Sequence, residues 1–489
     1  MKVNRYKITI GLGFSVILFH FINIAFTGGD DPFIALDHFE KGGLIEAAYK
    51  QAQGQGRFYL ILTWFLSELS YYYGFDWASF IKIISTLTLF SAYFILIARL
   101  FGKKFSILNS LILLLFFDWW GGDFNIIHNS PLWYSSGTTF LIISFILFMK
   151  ELEKSSKNYT KTIIFFGIAI LFYEVFLLYI IIYPLVYLYY FKLPLNYQST
   201  LILIKKFKYL FIIAIIYLTT YLSFRFYFPS LYEGNENFYF GDPLNSLFTI
   251  IRLSLMGIGF KYWDSFSLFT IIKSIVLSLF ISISAIHFLR KYSNDLINTN
   301  FSKSVKFKIS TLFICVIIPN ILFGFSLKYH TWYGPYVGSS ISALALIPII
   351  TYYTNKIYTN SPIFKYLMFM IFVIISSGIY MNFFNKFQGF KEDKMKLENL
   401  EILLNETYLD NNTFPSICTD KNFLSSDSYY IYSYLDKYFY YTTRKKIKFI
   451  YTDSKPIKKK YEENLCNFII RSNDANEVYF ATFKTDINK

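Results

Sequence analysis

The chain has 489 residues, is 54% hydrophobic and 22% aromatic, and has only 16% charged residues with a net charge of +15. Soluble domains average about 25% charged residues. Here the apolar excess falls in runs near ~20 residues long, which excludes a soluble globular enzyme and indicates a polytopic membrane protein. The Lys and Arg residues form short clusters between these runs rather than an aromatic-basic module, so the positive charge is topogenic and nucleic acid is not the partner.

The N-terminus "MKVNRYKITIGLGFSVILFHFINIAFTGG" begins with basic residues, like a signal peptide, but no clean A-x-A site follows its apolar stretch. It is read as an uncleaved first span. Runs able to cross a bilayer follow at 8–27, 78–98, 105–120, 132–149, 161–174, 175–191, 209–228, 267–289, 309–326, 336–354 and 364–384. That predicts about eleven transmembrane helices.

Basic residues set the orientation. With the N-terminus in the cytoplasm, the clusters around Arg5, Arg99, Lys104, Lys154, Lys206, Arg290, Lys306 and Lys356 all fall inside. The bias is about twenty inside to about six outside. This puts the stretch "TGGDDPFIALDHFEKGGLIEAAYKQAQGQGRF" (27–58) on the outer face.

Two segments are read with that bias in mind. The run 58–75, "FYLILTWFLSELSYYYGF", is expected to be an interfacial or re-entrant helix, because a span there would invert every later cluster. Its Trp64, Glu68 and tyrosines would suit the headgroup layer. The run 161–191 is expected to be two short helices meeting at the outer surface, with Glu174 near the turn.

The remaining outer loops are 118–138, 229–266 with an amphipathic helix around 244–258, and 327–338. An odd number of spans leaves the C-terminus outside. Residues 1–384 are then a transmembrane catalytic domain. Residues 385–489 are a small extracytoplasmic α/β domain, with a charged helix at 391–405 and strands in "KIKFIYTD", "NFIIRS" and "EVYFATFK". Three cysteines are too few for a disulfide framework. Cys315 is expected to pack in a span, and Cys418 and Cys466 could pair in an oxidising compartment. No inverted internal repeat of the transporter kind is found.

Polar chemistry collects on the outer side. Asp30 and Asp31 sit at the bilayer edge, either as a helix-ending turn after Gly28 and Gly29 or as a general base for a membrane-bound substrate. Arg57, Arg225 and Lys328 are cations on the same side. They either snorkel or together hold a phosphate. Asp123, His128 and His330 could shape a sugar or acceptor site, or bond to backbone. Glu174, an acid in an apolar hairpin, is functional by default and is expected to help shape the sugar and acceptor site, with a structural pairing to Arg or Lys as the rival. Trp119, Trp120, Trp133, Tyr329, Trp332 and Tyr333 could stack on a sugar ring or form an interfacial belt. No metal-ligand spacing stands out and no cofactor is expected, although the adjacent aspartates could hold one divalent cation, Mg or Mn, through oxygens. There is no phosphate-loop, nucleophile-elbow or H-E-x-x-H motif.

With these features the chain resembles the GT-C superfamily of membrane glycosyltransferases. The resemblance rests on the inside N-terminus, the first span ending in "GGDD", the long first outer loop with its interfacial helix, and the outer C-terminal domain. The spacing from Asp30-Asp31 to Gly56-Arg57 is similar to that of bacterial enzymes that glucosylate O antigen. Pro32-Phe33 follows the pair where related enzymes commonly have tryptophan. The resemblance implies a polyprenyl-phosphate-sugar donor and transfer, on the outer face of a bacterial plasma membrane, to a surface glycan, teichoic acid or glycolipid. It also implies an acidic base, here Asp31 or Asp30, and a second acid nearest to Asp123, with Asp118 behind it. The rival classes are an O-antigen polymerase, which would lean on outer-loop arginines that are scarce here, and a lipid-linked oligosaccharide flippase, which would need midplane charges and broken helices.

Overall fold

In a computed structural model, the structure describes residues 4–21, 42–72, 75–119, 127, 132–154, 159–230, 241–258, 267–296, 302–330, 337–360, 362–407, 416–419, 448–451, 468–472 and 478–481. The helices are α1 (Asn4–Phe21), α2 (Leu44–Gln55), α3 (Leu60–Tyr71), α4 (Phe75–Phe101), α5 (Lys103–Phe116), α6 (Tyr134–Glu153) and α7 (Thr160–Ile170). They continue with α8 (Ile182–Tyr190), α9 (Tyr197–Tyr227), α10 (Pro243–Leu255), α11 (Leu268–Tyr292), α12 (Ser302–Ile317), α13 (Val337–Asn360) and α14 (Pro362–Thr407). A 3-10 segment, Glu174–Ile181, leads into α8, and the short turns Ile321–Gly324 and Leu327–His330 follow α12.

Six described stretches are long and apolar enough to cross a bilayer: Asp76–Phe101, Tyr134–Glu153, Leu268–Tyr292, Val305–Gly324, Val337–Thr359 and Phe364–Leu403. The chain is therefore a multi-pass membrane protein by length and composition. Its flanks agree: Ile212, Ile215, Ile216 and Leu222 of α9 are exposed, a face that only lipid would cover.

Within the bundle, serine, threonine, asparagine and tyrosine side chains tie helices together, as expected where hydrophobic burial alone cannot select partners. Asn109 of α5 donates to Tyr93 of α4 at 2.9 Å and accepts from Thr351 of α13 at 3.2 Å. Asn320 donates to Ser254 and Ser342, and Tyr380 of α14 donates to the Leu114 carbonyl at 2.7 Å.

The two ends of the bundle can be told apart by their contacts. At one end Arg99 meets Glu153, Lys308 meets the Leu100 carbonyl, Lys104 lies over the Tyr292 ring and Lys206 over Tyr159. The basic clusters expected to share one side do share one end. At the other end Lys394 pairs with Asp76 at 3.2 Å, and His20 packs against Phe384.

Three expectations are corrected. The helix in 58–75 is only 12 residues long, and its Trp64 and Glu68 face protein rather than lipid headgroups. Both are fully buried, and Trp64 packs edge-on against Trp133. Trp119 faces no open site: it is buried among Phe14, Phe90 and Phe117 and donates to the Leu114 carbonyl. The charged helix expected at 391–405 is not separate. It continues the last span as the 46-residue α14, which runs unbroken through residues 384 and 385. Beyond it lie four short strands, β1 (Ser416–Thr419), β2 (Lys448–Tyr451), β3 (Phe468–Ser472) and β4 (Val478–Ala481), in the order β2-β1-β3-β4. β1 pairs in parallel with β2 and β3, β3 pairs antiparallel with β4, and β4 packs on α14.

Candidate functional site

The hairpin expected at 161–191 is present. α7 starts beside the Lys206–Tyr159 contact, at the end holding the basic clusters. It has 11 residues and runs antiparallel to α6, with Thr162 beside Ser144 and Phe172 beside Trp133 and Gly137. The chain therefore turns level with the start of α6, at the end opposite the Arg99–Glu153 contact, with Glu174 at the turn. The backbone groups freed at such a turn need partners from the protein. Both Phe172 and Tyr173 are buried at the break, and the Trp133 indole donates to the freed Phe172 carbonyl at 2.7 Å.

Glu174 is the first residue after this break. Arg57 reaches it, with 3.6 Å between guanidinium and carboxylate, and both side chains are largely shielded. The sequence builds the Arg57 position locally. α2 ends at Gln55, and Gly56 adopts a left-handed conformation with φ 64°. The Gly56 and Arg57 amides donate to the carbonyls of Gln53 and Ala52, a helix-ending cap that only glycine adopts at low cost. A Cβ at Gly56 would lie 2.7 Å from the Phe228 carbonyl oxygen, so the cap is pressed against the end of α9.

That end of α9 supplies the third charge. Arg225 donates to the Tyr221 hydroxyl at 3.2 Å. Glu174, Arg57 and Arg225 all act electrostatically on Tyr221, and Glu174 and Arg57 also act on Tyr217 and Tyr59. Burial drives the Tyr59 phenol well above its ordinary pKa, so it stays protonated as a hydrogen-bond donor. The cluster has two guanidiniums, one carboxylate and three phenols. It carries one net positive charge and an array of donors, the chemistry that holds a phosphate.

Beside it runs a file of aromatic rings. Trp64 meets Trp133, Trp133 stacks on Tyr134, Tyr134 meets Tyr173, Tyr173 stacks on Phe323, and Phe323 meets Tyr329. Trp133 and Tyr329, expected as sugar-stacking candidates, both belong to this file.

Lys328 and His330 do not join Arg57 and Arg225. They sit on the turn Leu327–His330, which packs against α10. His330 has both ring nitrogens engaged, one with the Gly324 carbonyl at 2.8 Å and the other with the Asn245 amide at 3.3 Å. It holds the turn. Arg252 of α10 donates to the Tyr329 carbonyl in the same cluster. α10 is the amphipathic helix expected at 244–258, capped by Asp242, with Leu244, Phe248 and Ile251 exposed and Ser246, Thr249 and Ser254 buried.

Asp30, Asp31, Asp123, His128, Trp120, Trp332, Tyr333 and Cys466 lie outside the described residues, as does the side chain of Cys418. Asp118 is buried at the Phe117–Ile258 bridge, where its amide donates to Gly257. Among the described residues no three His, Cys, Asp or Glu side chains gather as a metal site. Sequence reasoning missed Tyr217, Tyr221 and Tyr59. The spacing of four from Tyr217 to Tyr221 to Arg225 puts all three on one face of α9 and would have found two of them. It also missed Lys82, which is buried with its ammonium 5.4 Å from the Tyr71 ring centre.

No family model matches the chain, and no curated protein matches it. Among solved structures it is similar to the crystal structure of ArnT from Cupriavidus metallidurans in the apo state. That likeness has 11% identity and a TM-score of 0.41 over 97% of this chain and 94% of that chain. It is too loose for a fold or a residue role to be carried across.

Proposed function

We propose that this protein is a membrane glycosyltransferase of the GT-C type. It would move a sugar, a hexose on this reading, from a polyprenyl-phosphate donor to a surface glycan, teichoic acid or glycolipid on the outer face of a bacterial plasma membrane. The observation that carries the reading is the convergence of Arg57 and Arg225 near Glu174, beside the turn of an apolar hairpin. An enzyme acting on a lipid phosphate needs cations where the phosphate enters, and a protected aqueous recess where the sugar reacts.

On this reading the acceptor hydroxyl attacks the anomeric carbon, and the bond from that carbon to the phosphate oxygen breaks. The electron pair leaves with the polyprenyl phosphate, which the two guanidiniums stabilise. The hydroxyl proton passes to Asp31, with Asp30 orienting it or binding the acceptor. Glu174 and Tyr221 hold the arginines in place, and the buried aromatic file packs the wall beside them. Asp123 and His128 are assigned to the acceptor side, and a divalent cation on the aspartate pair remains part of the proposal.

The test is transfer from a radiolabelled polyprenyl-phosphate sugar by membranes carrying Asp31→Asn or Asp30→Asn. Loss of a general base should slow transfer about 100-fold or more. Full activity in both variants refutes the base assignment. Arg57→Gln should instead raise the donor concentration needed for half-maximal rate. An unchanged donor dependence removes the phosphate role.

A further inference from the structure

A cavity lies apart from the Arg57 cluster, where α1, α11 and α14 meet. It has a volume of about 410 Å³ and is lined by Phe19 and His20, by Phe269, Thr270 and Lys273, and by Phe384, Phe387, Gln388, Lys391, Glu392 and Met395. We infer that it binds the phosphate-bearing headgroup of a membrane lipid, which bridges α11 to α14.

Three observations support this. First, the charge is complementary. Lys273 and Lys391 face the cavity with His20, against one acid, Glu392, which already accepts from the Gln388 amide at 3.1 Å. Among the described residues neither lysine has a carboxylate within ion-pair distance, and the Lys273 ammonium lies over the Phe269 ring, 3.8 Å from its centre. Both lysines are exposed at the recess, where an anion can reach them.

Second, the cavity is at the right level. His20 is near the end of α1, Lys273 is in the second turn of α11, and Lys391 is just beyond the apolar part of α14. All three are at the bundle end away from the Arg99–Glu153 contact, near the ends of their apolar stretches. Third, an apolar strip leads from it. Phe19 and Phe269 on its rim are exposed, and Leu12 and Ile8 of α1 and Ile272, Val276 and Phe280 of α11 continue the exposed surface along the bundle. A free phosphate would use only the lysines. A lipid would use the lysines and the strip, so the lipid is the occupant.

This inference does not rest on the transferase reading, and it fails separately. The test uses the full-length protein in nanodiscs of phosphatidylcholine containing phosphatidic acid, with bound lipid counted by native mass spectrometry. The wild type should retain one phosphatidic acid that Lys273→Gln/Lys391→Gln loses, with affinity falling about tenfold. Lys273→Arg/Lys391→Arg should restore it, which separates a binding defect from misfolding. Arg57→Gln/Arg225→Gln should keep it. Equal retention by the glutamine variant overturns the site, and loss in the Arg57/Arg225 variant reassigns the lipid to the other cluster. Displacement by inorganic phosphate at the same concentration as the lipid shows that the chain contributes nothing and overturns the lipid assignment.

Discussion

Replacing Arg57 and Glu174 by glutamine, singly and together, measures how tightly the helix break is bound to the loop after α2. At 3.6 Å the Coulomb attraction is about 5 kcal/mol for an effective dielectric of ~20. Each side chain keeps about one-sixth of its surface exposed, 17% for Arg57 and 16% for Glu174, so water weakens the pair. A coupling of about 1 to 3 kcal/mol is expected. Arg57→Gln alone leaves a shielded carboxylate one cation short and should cost the most, about 2 to 3 kcal/mol. Glu174→Gln alone leaves Arg57 without its carboxylate partner and should cost about 1 to 2 kcal/mol. The double variant removes both charges and should cost less than the sum. The assay is reversible unfolding of the purified protein by SDS in mixed micelles, followed by tryptophan fluorescence. Single costs that add to within about 0.5 kcal/mol of the double would refute the pairing, and with it the claim that Glu174 holds Arg57 in place.

Three further outcomes follow from backbone contacts and one buried hydroxyl. Gly56→Ala forces an alanine to φ 64° with its Cβ 2.7 Å from the Phe228 carbonyl. It should cost about 2 to 4 kcal/mol and weaken donor binding, because Arg57 moves with the cap. Wild-type unfolding and donor dependence would contradict this. Gly257→Ala would place a Cβ 1.9 Å from the Ser339 carbonyl oxygen. No side chain can yield there, so a loss above about 3 kcal/mol or failure to accumulate in the membrane is expected, and an unshifted SDS midpoint would rule out that close approach. Tyr380→Phe deletes one buried bond to the Leu114 carbonyl and should cost only about 0.5 to 1.5 kcal/mol. A larger loss would mean that the hydroxyl supports more than this one helix contact.

The helices were legible wherever an apolar run was long and flanked by cations, because bilayer thickness and charge asymmetry act on sequence directly. That logic located α4, α6, α11 and α13, and gathered Arg99, Lys104, Lys206 and Lys308 at one end. It read 161–191 as two short helices turning near Glu174, but nothing in that run shows that the return arm begins as a 3-10 segment, since hydropathy is blind to backbone that a neighbouring indole satisfies. It also misread Glu68 and Trp64. An acid and an indole near a bilayer edge look alike whether they face headgroups or the interior of the protein. Two of the three proposed phosphate cations, Arg57 and Arg225, do share one cluster, while Lys328 belongs to another. α14 was split because apolarity ends near 384, although Phe387, Leu397 and Leu400 keep a buried helical stripe going past Gly389.

The 46 residues of α14 make a rod about 69 Å long, more than twice the thickness of the oily layer it enters. Roughly 39 Å of it must project, and β4 is packed against it. A tilt of about 10° at the point of emergence would sweep the projecting tip through about 7 Å. Lys394, pinned to Asp76 at 3.2 Å, stands close to that fulcrum. The strands are thus mounted on a lever, and small forces at its pivot become displacements the size of a sugar ring at its far end.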